Sequence, residues 1–127
     1  MAKEYLQKLS ALILRLDIEK EVDCRIEVKD LFTGAALYVN KVICASWSPV
    51  GLAFKLPEKE VASLISSGKA KPLKYFPNGH VKRGYALFES PEKSRPRRWK
   101  ASFVKAIKHS HEQTHNNRFH ATGCAGA

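Results

Sequence analysis

The sequence predicts an α+β two-layer sandwich, an antiparallel sheet with helices packed on it. Three observations carry that prediction. Tyr5, Leu6, Leu9, Leu12, Ile13 and Leu16 recur at steps of three and four, the spacing of one helical face. Further on, CRIEVK alternates apolar Cys24, Ile26 and Val28 with charged Arg25, Glu27 and Lys29, the signature of a strand with one wet face. Finally, LKYF and VKRGYALF flank Pro77-Asn78-Gly79, a hairpin signal with Asn-Gly at its centre. Antiparallel runs of strands interrupted by helices place the helices on one side of a sheet.

The first helix is expected from about Lys3 to Leu16, followed by the CRIEVK strand. Thr33-Gly34 interrupts, and AALYVNKVICASWS reads as two strands, Ala36 to Val39 and Val42 to Trp47. Asn40-Lys41 supplies the tight connection, because Asn tolerates positive φ. After Ser48-Pro49, GLAFKLP alternates Leu52, Phe54 and Leu56 against Ala53 and Lys55. This is a fourth strand or a continuation of the third across a kink. A helix starts next to Pro57, carries Val61, Leu64 and Ile65 as its stripe, and stops at Gly68. Ser90 to Pro96 is loop or a broken first turn, since Pro96 cannot sit inside a regular helix. Ser94 is the expected cap of the last helix, on which Trp99, Phe103, Val104 and Ile107 form the stripe. Beyond Lys108 the periodicity ends. Residues 1–108 are therefore read as the domain and 109–127 as a polar, His-containing tail. Trp47 is expected to be exposed and, with the sheet edges, available to a dimer.

At 127 residues the chain has one domain's worth of material. No apolar run approaches the roughly 18 residues that span a bilayer. The N-terminus is too polar and too regularly spaced for a signal peptide, so a cytoplasmic protein is expected. Cys24, Cys44 and Cys124 are odd in number and widely spaced, suiting neither a disulfide framework nor a metal knuckle. The net charge of +10 is confined to one third of the chain: residues 69–108 hold twelve basic residues against Glu89 and Glu92. Such a block attracts nucleic acid or acidic protein surfaces, or serves as a solvated face.

GAALYVNKVICASWSPVGLAFKLPEKE followed by KPLKYFPNGHVKRGYALFES resembles the TfoX N-terminal domain family, whose founding protein regulates competence for DNA uptake in bacteria. The similarity runs from about Lys3 to Lys108 and is densest between Gly34 and Ser90. Its motifs are a Gly before the first hairpin, Phe54-Lys55-Leu56 at a strand end, and a late strand carrying Tyr85. The resemblance implies an α-β(3)-α-β(2)-α sandwich of the secretion-chaperone kind, in agreement with the order read from periodicity. It implies a single-domain member without the regulator's second domain. It brings no catalytic constellation to carry over, so a link to transcription or competence regulation follows from resemblance alone.

One motif points elsewhere. HEQTH, from His111 to His115, is a literal H-E-x-x-H, which on a helix offers two imidazoles and a general base to zinc. The longer signature continues with Gly and His at fixed steps; Arg118 and Ala121 stand at those positions, and His120 misses by one. Polar Ser110, Gln113, Thr114, Asn116 and Asn117 give the motif no apolar face, so a zinc hydrolase is the remote alternative. His109, His111, His115 and His120 are better suited to adventitious chelation, and no resident metal or cofactor is expected. No GxxxxGK[ST], GxGxxG or GxSxG occurs. Asp17, Glu19, Glu21 and Asp23 read as a solvated loop, and His80 as a turn residue.

The candidate anion-binding or nucleic-acid-binding residues are Lys82, Arg83, Arg95, Arg97, Arg98, Lys100, Lys105 and Lys108. Arg98, Lys105 and Lys108 are expected to lie away from the buried stripe of the last helix, where guanidinium and ammonium groups suit phosphates. Tyr75 and Tyr85 are candidates for base stacking, although their strand positions favour sheet-face packing. No helix-turn-helix, RNP sequence or zinc finger is present. Two functions follow: a small non-catalytic regulatory or adaptor domain acting through protein contacts or self-association, and a binder of nucleic acid without sequence preference. Neither a membrane nor a small-molecule substrate is indicated.

Overall fold

The computed structural model describes residues 2–31, 34–74 and 79–112. Helix α1 (Ala2–Arg15) buries Leu9 and Ile13, with Leu16 just past its end, and turns Glu4, Gln7, Ser10 and Ala11 outward. Asp17 then adopts a left-handed conformation, φ 52°, and a single further turn follows, α2 (Ile18–Glu21). The acidic run expected as a loop is thus anchored from below, with Ile18 and Val22 buried between exposed carboxylates. Two apolar anchors four residues apart are too few for periodicity to register.

The strands are β1 (Ile26–Leu31), β2 (Gly34–Val39), β3 (Val42–Ser48), β4 (Gly51–Lys55), β5 (Lys71–Leu73) and β6 (Lys82–Phe88), with α3 (Glu58–Ser66) between β4 and β5. They form one antiparallel six-stranded sheet in the order β1-β2-β3-β4-β6-β5. Four strands therefore precede α3, one more than the expected order. GLAFK folds back on β3, pairing Trp47 with Leu52 and Ser48 with Gly51. Gly51 makes this possible. Its φ is 134°, and a Cβ there would collide with the carbonyl oxygen of Phe88 on the neighbouring strand.

Asn40 and Lys41 both have positive φ, 50° and 68°, the signs of the two-residue turn that matches strand twist. A bulge lies beside it: Leu37 faces Ala45 and Tyr38 faces Ile43, so Cys44 is the extra residue on β3. Its thiol donates to the Leu37 carbonyl at 3.4 Å. Helix α3 ends as expected at Gly68, φ 77°, with the amides of Gly68 and Lys69 returning to Ile65 and Leu64. The β5–β6 pairing is present, while Pro77 and Asn78 of the hairpin turn lie outside the described residues.

After β6, Ser90 takes a left-handed φ of 51°, and short turns at Pro91–Lys93 and Pro96–Trp99 lead into the last helix, α4, over residues 100–112. With Pro96 opening the second turn, Arg95 occupies the position before it and makes no side-chain cap. Ser94, expected as the cap, instead accepts a hydrogen bond from Arg98 Nη1 at 2.8 Å. Helix α4 also runs four residues past Lys108, where the tail was expected to begin. Ser110 is fully buried and His109 and His111 are half-buried, so this stretch packs against the domain.

The helices share one face of the sheet. Leu9, Ile13 and Leu16, Val61 of α3, and Trp99, Phe103, Ala106 and Ile107 form one core with Ala35, Leu37, Phe54 and Ala86 from the strands. Phe54 is its hub: Phe103 meets it edge-on at 4.9 Å, and Trp99 stacks on it at 6.0 Å. Trp47, expected to be exposed, is only 8% exposed, because pairing with Ala35 and Leu52 turns it to this inner face. The outer-face cluster of Ala53, Leu73 and Leu87, with Val50 and Tyr85 against it, contains no helix residue among those described. The architecture is a two-layer α+β sandwich.

Candidate interaction surfaces

The eight basic residues singled out in the sequence do not form one patch. Arg95 and Arg97 line a depression of about 390 Å³ together with Arg15, Leu16 and Pro96. Arg15 is 80 residues from Arg95 in the chain, and no local pattern joins them; the end of α1 simply meets the turn that opens α4. Lys105 and Lys108 line a second depression, about two turns along α4, with Lys59, Glu60, His109 and Glu112. Arg83 lies in a third, between α3 and β6. The side chain of Lys82 lies outside the described residues.

Several of these cations already have partners. Lys105 Nζ pairs with Glu60 at 2.6 Å and Lys100 Nζ with Glu21 at 3.3 Å. Arg98 lies over the Trp99 ring at 4.8 Å and the Phe88 ring at 5.7 Å. A cation at the start of a helix is electrostatically unfavourable, and the aromatic faces, with Ser94, offset that for Arg98. As expected, Arg98, Lys105 and Lys108 are exposed while Trp99, Phe103 and Ile107 are buried. The ion pairs are exposed and contribute at most about 1 kcal/mol each. Among the described residues that line the depression of Arg15, Arg95 and Arg97 there is no carboxylate.

Of HEQTH, His111 and Glu112 are described; Gln113, Thr114 and His115 lie outside the described residues, as do His120 and Cys124. The amide of Asn40 donates to His111 Nδ1 at 3.0 Å. Among the described residues no three His, Cys, Asp or Glu side chains group as metal ligands. Burial, with Lys55 nearby, lowers the pKa of His109. Cys44 is buried, and burial pushes its thiol up to about 12, while Cys24 is half-buried with its thiol raised by the same cause. A thiol held protonated is a poor nucleophile.

The outer sheet face is paved in register. One row runs Lys29, Ala36, Ser46, Ala53, Leu87 and Lys71 across all six strands, small in the middle with a lysine at each edge. Tyr85 lies across this face and donates its hydroxyl to the Ile43 carbonyl, beside the bulge, at 3.3 Å. That is the sheet-face packing expected of Tyr85; Tyr75 lies outside the described residues.

The two sheet edges differ. At one, β5 is three residues long and carries Lys71 and Pro72, which discourage further pairing. At the other, β1 is six residues long, and beside it runs a groove of about 530 Å³ between the strand and α1–α2. Ile13, Leu14, Ile18, Ile26 and Val28 line it. Leu14, 79% exposed, is one of two large apolar side chains left in solvent among the described residues. Sequence reading missed this groove because Leu14 falls off the periodic stripe of α1 and carries no motif.

No family model matches the chain, and neither a curated protein nor a solved structure matches it. Among the described residues no helix is long and apolar enough to cross a membrane.

Proposed function

We propose that the protein is a small non-catalytic regulatory or adaptor domain of the cytoplasm that acts through protein contacts, in the manner its resemblance to the TfoX N-terminal domain family implies. One observation carries this reading: the open β1 edge and the apolar groove beside it form a surface built for backbone pairing and apolar contact. The basic residues support it less directly, being spread over separate depressions and partly occupied by Glu21, Glu60 and Trp99. The sequence resemblance supplies the regulatory context, and the absence of nucleotide-binding and nucleophile motifs from the sequence supports the non-catalytic part.

A second reading has its own observation. Arg15, Arg95 and Arg97 around one depression would hold a phosphate of a nucleic acid backbone without reading bases.

The two readings separate on salt. Co-purification from native extract at low and high salt, with protein and nucleic acid both identified, is paired with duplex-DNA binding by fluorescence anisotropy. The adaptor reading expects a defined protein partner, or the protein itself, retained at high salt. It also expects DNA affinity no better than that of other proteins of like charge. DNA affinity well above that level, falling linearly with log salt and lost in Arg95→Ala/Arg97→Ala, would overturn it in favour of the second reading.

A further inference from the structure

We infer that the partner of the β1 edge is a second copy of this chain, paired antiparallel about a two-fold axis at Val28. The inference deepens the adaptor reading and rests on the same surface. β1 ends the sheet, and among the described residues no strand pairs with its outer side. A strand edge exposed over its whole length is a template for pairing, and a self-complementary one closes as a symmetric dimer.

The charges on β1 select the register. Continuing the sheet with both helical layers on the same side requires residues of equal facing to oppose one another. Ile26 and Val28 face the helices, while Glu27 and Lys29 share the outer face, where Lys29 Nζ lies 3.8 Å from Glu27 Oε2. Centring the pair on Glu27 sets Glu27 against its own copy, and centring on Lys29 sets lysine against lysine. Centring on Ile26, the first residue of β1, runs the pairing off the start of the strand. Centring on Val28 sets Glu27 of each copy opposite Lys29 of the other, twice, by symmetry, and sets exposed Asp30, which faces as its partner Ala35 does, opposite Ile26 at the two ends of the pairing. Opposite charges directly across a strand pair stabilise it and like charges destabilise it. The two outer-face charges, Glu27 and Lys29, here favour one register and oppose its neighbours.

The groove agrees with this geometry. Helix α1 packs over β1 and β2 through Leu9, Ile13 and Leu16. Adding strands at a spacing of about 4.8 Å then sets the two α1 helices side by side on the same face, one on each side of the joint. Leu14 of each copy then covers the Ile13, Ile18 and Ile26 surface that lines the groove beside Val28 among the described residues. The result is one continuous twelve-stranded sheet with an unbroken helical layer, twice the six of the single chain.

Charge reversal with rescue tests this. The full chain is compared by sedimentation equilibrium with Glu27→Lys, Lys29→Glu and the double reversal Glu27→Lys/Lys29→Glu, with far-UV circular dichroism confirming that each folds. The wild type is expected to be a dimer. Each single reversal makes both cross-strand pairs repulsive and weakens association at least about tenfold, and the double reversal restores it. Leu14→Gln weakens the dimer with the charges intact. A wild type that stays monomeric at every concentration, or a dimer indifferent to the reversals, overturns the inference. If the chain is monomeric but a different protein co-purifies and is lost with Lys29→Glu, self-pairing fails while the adaptor reading stands. If no protein partner and no dimer is found, both fail.

Discussion

The side-chain amide of Asn40 donates to Nδ1 of His111 at 3.0 Å, tying the β2–β3 turn to the end of α4 across 71 residues of sequence. The contact explains why helix α4 continues past Lys108. Ser110 is buried beside it, and the two anchor a stretch whose composition alone reads as a tail. Asn40 serves two purposes, since it also holds a left-handed φ of 50° in the turn. The two are separable by substitution. Asn40→Gly keeps the turn and removes the bond, so it should cost only about 0.5–1 kcal/mol. Its specific effect is faster amide hydrogen exchange in residues 109–112. Asn40→Ala should cost about 1 kcal/mol more, from the turn. Unchanged exchange in Asn40→Gly would show that the helix end is held by packing alone.

Phe103 is fully buried and meets Phe54 edge-on at 4.9 Å, while Trp99, one turn earlier on the same stripe, stacks on Phe54 at 25°. Helix α4 is therefore fixed to β4 by a shared ring. Phe103→Ala removes about 3–5 kcal/mol, a large part of what a domain of this size retains. Denaturant unfolding should show the midpoint falling sharply. Phe103→Leu, which refills much of the volume, should recover more than half of the loss. A loss below about 1 kcal/mol for Phe103→Ala would mean that α4 docks without this contact.

What the sequence discloses is what repeats locally. The stripes of α1, α3 and α4 follow a 3.6-residue period, and Asn40-Lys41 and Gly68 carry conformational signals of their own, so those elements are legible. The fourth strand was ambiguous because GLAFK alternates equally well as a continuation; the deciding fact, Gly51 approaching the Phe88 carbonyl, involves a strand 37 residues away. Trp47 misled for a related reason. Its facing is set by pairing with Ala35 and Leu52 on two other strands, which turns Trp47 to the helix side and leaves Ser46 opposite Ala36 and Ala53 on the outer face. The basic residues were visible as composition and invisible as geometry: Arg15 joins Arg95 and Arg97, while Lys100 and Lys105 turn to Glu21 and Glu60. Exposed Leu14 beside an open strand edge is a relation between elements, and no window of sequence contains it.

Cys44 gives the fold a pH dependence of defined sign. It is the extra residue of the β3 bulge and lies wholly inside the core, where burial pushes its thiol from 9.0 up to about 12. Between those values the unfolded chain loses the thiol proton and the folded chain keeps it. The stabilising contribution is therefore complete below pH 9.0 and is lost as pH rises toward about 12. One proton corresponds to a slope of at most about 1.4 kcal/mol per pH unit. Cys44→Ala removes this titration and leaves every other group in place. Unfolding of both proteins by urea, below pH 9 and at about pH 10.5, should show wild type losing more stability than the variant. Alkylation with iodoacetamide should label Cys44 only at the rate of opening, since the thiolate must reach solvent to react. Equal pH slopes in the two proteins, with rapid native labelling, would mean that water reaches the bulge and that the Leu37 carbonyl does not keep the thiol enclosed.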